Sequence, residues 1–133
     1  MKLSTRGRYG LRAVYYLAEN SENGYVSVSD IAKELSLSEN YLEQLIRQLK
    51  KNDIIESQRG AKGGYKLKYP PEEITVGKVL RVLEGDFTMA ECVVDNSICK
   101  DYNCKARDVF SMIESAINNT VDSITLKDML EKN

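Results

Sequence analysis

Between residues 30 and 69 the hydrophobic pattern changes from the period of a helix to that of a strand, around a glycine-rich tip. Val26-Ser27-Val28 is short and extended, and Ser29 is placed to cap a helix from Asp30 to Ser36 that buries Ile31, Ala32 and Leu35. Leu37 makes a turn. Ser38 then caps a second helix that buries Leu42, Leu45, Ile46 and Leu49, with Leu37 and Leu42 at the two positions of a hydrophobic staple. Its outer face carries Asn40, Glu43, Gln44, Arg47 and Lys51. Ile54–Gln58 and Tyr65–Tyr69 read as strands, the latter alternating apolar with basic residues. Arg59-Gly60-Ala61-Lys62-Gly63-Gly64 joins them as a hairpin tip with two cations. Two short helices joined by a tight turn, followed directly by a hairpin, predict a winged helix-turn-helix. Its second helix reads base edges, and its wing reaches phosphates or the minor groove. A phosphate-cradling P-loop is excluded, because the glycine spacing differs and a strand follows where a helix is required.

The flanks complete a fold that is mainly α with a small β wing. Thr5 to Asn20 predicts a first helix, with Tyr9, Gly10, Ala13, Val14, Leu17 and Ala18 on one buried stripe. Arg6, Arg8 and Arg12 lie mostly off that stripe and near its start. Cations there oppose the helix dipole, so phosphate contact gives them a reason to be present. Pro70-Pro71 breaks the chain, and Ile74 to Glu84 forms a short helix burying Val76, Val79, Leu80 and Leu83. Gly85 to Asn103 reads as loop. From Lys105 a long helix carries Val109, Met112, Ile113, Ala116, Ile117 and Thr120 on one stripe. Such a stripe buries most economically against the same helix of a second copy about a two-fold axis, and packing onto the first helix is the intramolecular alternative. Thr125-Leu126-Lys127-Asp128 matches a capping pattern for a terminal helix. The expected division is a winged helix-turn-helix over 1–84, a cysteine-bearing sensor loop over 85–104, and a dimerisation helix with its cap over 105–133.

Charge is divided along the same lines. In residues 1–69, 12 lysines and arginines face 8 aspartates and glutamates; in residues 70–133, 7 face 12, for a net charge of −1. A basic amino-terminal part beside an acidic carboxy-terminal part suits a DNA-reading module joined to one that does not touch DNA. No apolar run is long enough for a membrane-spanning helix, and Met1-Lys2-Leu3-Ser4 leads into a charged segment without the apolar core of a secretion signal. A cytoplasmic chain without a membrane partner is therefore expected. It contains no histidine, and neither a nucleophile pair nor a cofactor loop is visible, so catalysis is not expected.

All three cysteines fall in one short stretch. Six residues separate Cys92 from Cys99, and four separate Cys99 from Cys104. In a reducing compartment such a group points to metal or redox chemistry rather than to disulfides. Three thiolates in a small arc suit an iron–sulfur cluster; zinc is the weaker alternative, because its sites favour two-residue gaps and four nitrogen or sulfur ligands. Reactive thiols without a metal are the remaining reading. For the whole chain, a thiol-responsive repressor of sulfur metabolism and a small iron–sulfur electron carrier are the rivals to a cluster-sensing regulator.

Three separated motifs, in order, resemble the iron–sulfur cluster regulator (IscR) family. They are the opening Met1-Lys2-Leu3-Ser4-Thr5-Arg6-Gly7-Arg8-Tyr9, the segment Leu37-Ser38-x-x-Tyr41-Leu42-Glu43-Gln44-Leu45, and Arg59-Gly60-x-x-Gly63-Gly64-Tyr65. The closing Asp122-Ser123-Ile124-Thr125-Leu126 extends the resemblance over nearly the whole chain. Relatives of that family include nitric-oxide-sensing and cysteine-metabolism repressors. The resemblance implies a homodimer on double-stranded DNA of imperfect palindromic sequence, and a role in iron–sulfur assembly or sulfur metabolism. Arg8, Ser38, Asn40, Tyr41, Glu43, Gln44, Arg47, Arg59, Gly60 and Lys62 form the candidate DNA-contacting set. The resemblance further implies a 2Fe–2S cluster on Cys92, Cys99 and Cys104; three thiolates that leave one iron position open make a 4Fe–4S cluster with one distinctive iron the alternative. Its histidine ligand, three residues after the last cysteine, is replaced by Arg107, and the aspartate of nitric-oxide-sensing relatives by Arg8. Glu91, Asp95, Asp101 and Asp108 are left as fourth-ligand candidates.

Overall fold

A hydroxyl opens five of the helices in the computed structural model, which describes residues 2–132 apart from 96 and 98–102. Ser4 starts α1 (Thr5–Glu19), Ser27 starts α2 (Val28–Leu35) and Ser38 starts α3 (Glu39–Lys51). Thr75 starts α4 (Val76–Glu84), and Thr125 starts the terminal helix Leu126–Glu131 with a full capping box. Each side-chain oxygen accepts a backbone N–H that has no partner inside the helix, a contribution of about 1 kcal/mol apiece. One cap differs from expectation: Ser27, not Ser29, opens α2, its hydroxyl accepting the Asp30 N–H at 3.1 Å. The β-branched Val28 reads as extended in isolation, yet it is the first helical residue.

α1, α2 and α3 interlock around one core. Val14 and Leu17, Ile31 and Leu35, and Leu42, Leu45, Ile46 and Leu49 are buried in it, together with Ile54, Ile55, Ile74, Val79 and Leu83. The stripes read from helical periodicity are the faces that go inside. β1 (Ile55–Gln58) pairs antiparallel with β2 (Gly64–Leu67), in a register that sets Ile55 against Leu67 and Gln58 against Gly64. Val26 joins β2 as an isolated bridge, exchanging two backbone hydrogen bonds of 2.8 Å with Tyr65. Gly60 turns the tip at φ +111°, a conformation that side-chain-bearing residues rarely adopt.

After α4 the chain passes through Phe87 into a short helix, α5 (Glu91–Val94), in a stretch expected to be wholly loop. The long helix α6 (Lys105–Ser123) follows, and then α7 (Leu126–Glu131). α6 lies against α4 rather than along α1: Ile117 and Val121 join Val76, Leu80 and Phe87 in a second, smaller apolar cluster. Arg81 fixes that contact, with Nη1 and Nη2 donating to the Asp122 carboxylate at 2.6 and 3.0 Å and Nη2 also donating to Asn118 Oδ1 at 2.6 Å. Beyond α6 the chain returns to the main core. The Val76 N–H donates to Ile124 O at 2.8 Å, the Leu126 N–H donates to Ile74 O at 2.9 Å, and the Leu126 side chain is fully buried.

Candidate nucleic-acid interface and cysteine segment

Capping, burial and turn geometry fix the orientation of α3. With Leu42, Leu45, Ile46 and Leu49 inside, the residues at the remaining angles must face out, and Asn40, Glu43, Gln44 and Arg47 do so. Tyr41 is half-buried against the core, and its backbone N–H donates to Ser38 Oγ at 3.1 Å, so the first turn of α3 is held rigid. The wing tip presents Arg59, Gly60 and Lys62 in the open, closed by a turn in which the Gly63 N–H donates to Gly60 O at 3.0 Å. Glu43, Arg47 and Lys50 line a groove with Tyr65 of β2, between α3 and the wing. Among the described residues no ion pair engages Glu43, Arg47, Arg59 or Lys62, so their hydrogen-bonding capacity faces outward.

Arg8 is exposed in the first turn of α1, its Nη2 3.4 Å from Thr5 Oγ1. Arg6 sits beside α3, lining a cavity of about 260 Å3 with Tyr41, Gln44 and Gln48. Arg12 lies 5.4 Å from the centre of the Tyr9 ring. Sequence reasoning did not single out Lys50 and Gln48, although their spacing from Glu43, Arg47, Tyr41 and Gln44 on a known helix would have placed them on these faces.

The cysteine segment is partly described. Cys92 lies on α5, Cys104 is the residue at which α6 starts, both are half-buried, and Cys99 lies outside the described residues. The Cys104 Sγ accepts the Arg107 N–H at 3.4 Å, taking the place that a serine oxygen takes elsewhere in the fold. α5 packs on α6, and the Met89 N–H donates to Glu114 Oε1 at 3.1 Å, so the stretch before the cysteines is tied to the long helix. Among the described residues no three Cys, His, Asp or Glu side chains converge as a metal-binding group. On donor chemistry the two described thiols fit a cluster's sulfur ligation. The guanidinium groups of Arg107 and Arg8 have no lone pair to offer a metal. Of the oxygen candidates, Asp95 Oδ1 already accepts the Ser97 N–H at 2.9 Å and hydroxyl at 2.7 Å; Glu91 and Asp108 are exposed, and Asp101 lies outside the described residues.

A rigid helix-turn-helix with an outward polar face and a basic wing defines a DNA-binding transcriptional regulator. The chain belongs to the Rrf2 family, whose model, described as an iron-dependent transcriptional regulator, matches residues 3–132. It is 40% identical over 129 residues to the HTH-type transcriptional regulator CymR of Bacillus subtilis, covering 97% of this chain and 89% of that one. The structure of CymR, the global cysteine regulator of B. subtilis, superposes with a TM-score of 0.85 at 39% identity over 97% of this chain and 95% of that one. The T. potens IscR structure gives a TM-score of 0.82 at 40% identity, over 98% of this chain and 87% of that one. These relatives are named as regulators rather than enzymes, in agreement with the absence of catalysis expected from the sequence. No helix among the described residues is long and apolar enough to cross a membrane.

Proposed function

We propose that the chain acts in the cytoplasm as a homodimeric repressor or activator that binds an imperfect palindrome, with DNA affinity set by the state of the cysteine segment. The observation that carries this reading is the open face of α6. Val109 and Met112 are 51% and 71% exposed, no residue of this 19-residue helix is buried, and Ile113 and Phe110 lie on the surface beside them. A second α6 across a two-fold axis would cover that face and set two α3 helices at half-site spacing, about one helical turn of DNA or a multiple apart. In this division of labour residues 1–84 read DNA, 85–104 sense, and 105–133 assemble the dimer.

Within each protomer, Asn40, Glu43, Gln44 and Arg47 read base edges, while Ser38 and Tyr41 hold the start of α3. Arg8, Arg59, Gly60 and Lys62 approach phosphates. Glu43 discriminates, because a carboxylate beside phosphates is repulsive unless it accepts a hydrogen bond, as from cytosine N4. Cys92, Cys99 and Cys104 would hold a 2Fe–2S cluster, or a 4Fe–4S cluster with one distinctive iron, which supplies sensitivity to oxidants and to cluster availability. An oxygen donor completes the set, and genes of iron–sulfur assembly or sulfur metabolism are the targets. Anaerobic reconstitution followed by absorption and Mössbauer spectroscopy, with duplex binding of holo and apo protein, tests this reading. Iron and sulfide bound on the three thiols, with unequal affinities of the two forms, are expected. Cluster bound with equal affinities removes it from the switch.

A second reading is favoured by one observation: arginine occupies both positions where relatives of the resembled family carry a fourth ligand. In that reading Cys92, Cys99 and Cys104 respond as thiols without metal and the regulon is that of cysteine metabolism, in keeping with the CymR relative. Failure to bind iron and sulfide, together with DNA affinity that changes on thiol oxidation, selects it.

A further inference from the structure

The first turn of α1 holds two arginines and no acidic residue, an arrangement that leaves its N–H groups without a counter-charge of its own. The missing carboxylate comes from Glu84, the last residue of α4. Its Oε1 accepts the Ser4 N–H at 2.8 Å, the Gly7 N–H at 3.1 Å and the Ser4 hydroxyl, gripping the start of α1 on both sides of Arg6. A Cβ on residue 7 would stand where this carboxylate stands, and a Cβ on residue 10 would stand where the Leu83 side chain lies. Gly7 and Gly10 thus form the notch that lets α4 come this close. The Ser4 hydroxyl, the backbone hydrogen bonds and the nearby Arg6 charge hold the Glu84 carboxyl below its ordinary range.

Arg6, fixed between the two gripped residues, lines the cavity beside Tyr41, Gln44 and Gln48 on α3. We propose that Glu84 is a positioning residue for DNA binding: it locks the first turn of α1 so that Arg6 and Arg8 meet the phosphates flanking the bases read by α3. This rests on the reading of the α1 arginines as phosphate ligands. Glu84 touches no DNA in this arrangement and acts only through the turn it holds.

The test measures binding of the full chain to a duplex that the protein enriches from a random library, by fluorescence anisotropy across a salt series. The variants are Glu84→Ala, Glu84→Gln, the pair Arg6→Ala and Arg8→Ala, and that pair combined with Glu84→Ala. For every phosphate no longer neutralised, binding should weaken roughly fivefold near physiological salt and the logarithmic salt slope should become shallower by about 0.9. Glu84→Ala should show that signature for one or two phosphates. Glu84→Gln keeps a carbonyl oxygen within reach of all three donors and should bind like the parent. In the double-arginine background Glu84→Ala should change nothing further, because what it positions is already gone. An equal loss in both backgrounds, or a loss without a change of slope, makes Glu84 merely structural and overturns the proposal. Parent-like binding by the double-arginine variant overturns the phosphate reading itself, and the proposal with it. If Glu84→Ala fails to fold, Glu84→Asp, with its reach shortened by one methylene, makes the same comparison, and a parent-like slope overturns the proposal.

Discussion

The part of the chain that carries the helix-turn-helix and the long helix that follows the cysteines solve the same problem in opposite ways. In α3, Leu42, Leu45, Ile46 and Leu49 are all within 2% of complete burial, and the polar residues between them face out. In α6 the apolar stripe is divided: Ile117 and Val121 reach α4, while Val109, Met112 and Ile113 stay open. The first unit is complete as a single chain. The second has an apolar face that nothing among the described residues covers, which is the mark of a surface built for association.

The sharpest way to break this contrast is a charge on the open face. Ile113→Asp or Met112→Asp should leave the fold intact by circular dichroism but yield a monomer by sedimentation, with palindrome binding weakened about a hundredfold or more as the second half-site is lost. Monomeric parent protein would remove the contrast. In the other unit, Leu49→Ala should cost about 2–5 kcal/mol by denaturant unfolding, whereas Val109→Ala should leave the stability of the monomeric fold nearly unchanged.

Specificity comes next in size. Glu43→Ala should relax base preference by about 1–3 kcal/mol at the pair it faces, while keeping or raising affinity for non-cognate duplexes. Selection from a random library reads this directly, and a uniform loss of binding would assign Glu43 a structural part. Acid tests the contacts that α4 makes with α1 and with α6. Glu84 and Asp122 both titrate below their ordinary values of 4.5 and 3.8, Glu84 through Ser4 first and Asp122 through its hydrogen bonds from Arg81. Their contributions are fully present above those ordinary values and fade as pH falls through the lower folded-state values. Thermal melts should therefore show a flatter acid limb in Glu84→Gln than in the parent, and an unaltered limb would mean that the grip adds nothing to stability. The smallest effect is local: Ser27→Ala should cost about 1 kcal/mol and Ser29→Ala almost none, which separates the cap in use from the one the sequence suggested.

Much of the first unit could be read from residues alone, because a buried face on a helix or strand repeats with a fixed period. The stripes of α1 and α3, the staple at Leu37 and the glycine tip of the wing are all local signals of this kind. The start of α2 was misread for the same reason, since Val28 obeys a local preference that the Ser27 cap overrides. The grip of Glu84 on Ser4 spans 80 residues, and no periodicity encodes a contact at that separation. A hint was present in the first turn of α1, which has arginines but no acidic residue, and in the two glycines about one turn apart. The cysteine segment reads from the sequence as three thiols within a short stretch, but spacing alone does not say that a helix, α5, interrupts it. The start of α6 at Lys105 is legible from its stripe, whereas α5 packs on α6, a contact that spacing does not encode.

The return of Leu126 to the core gives α6 the mechanics of a lever. One end is pinned by Arg81 on Asp122 and by the rungs between residues 74–76 and 124–126, while Cys104 stands at the other. At 1.5 Å per residue the arm is about 28 Å long, so a swing of about 10° at the pinned end carries Cys104 through about 5 Å. In the proposed sensor, a change in what the thiols hold would need only to nudge the tip. With the fulcrum on α4, between the grip on α1 and the open apolar face, the proposed dimer would receive that nudge as a change in the spacing of its two DNA readers.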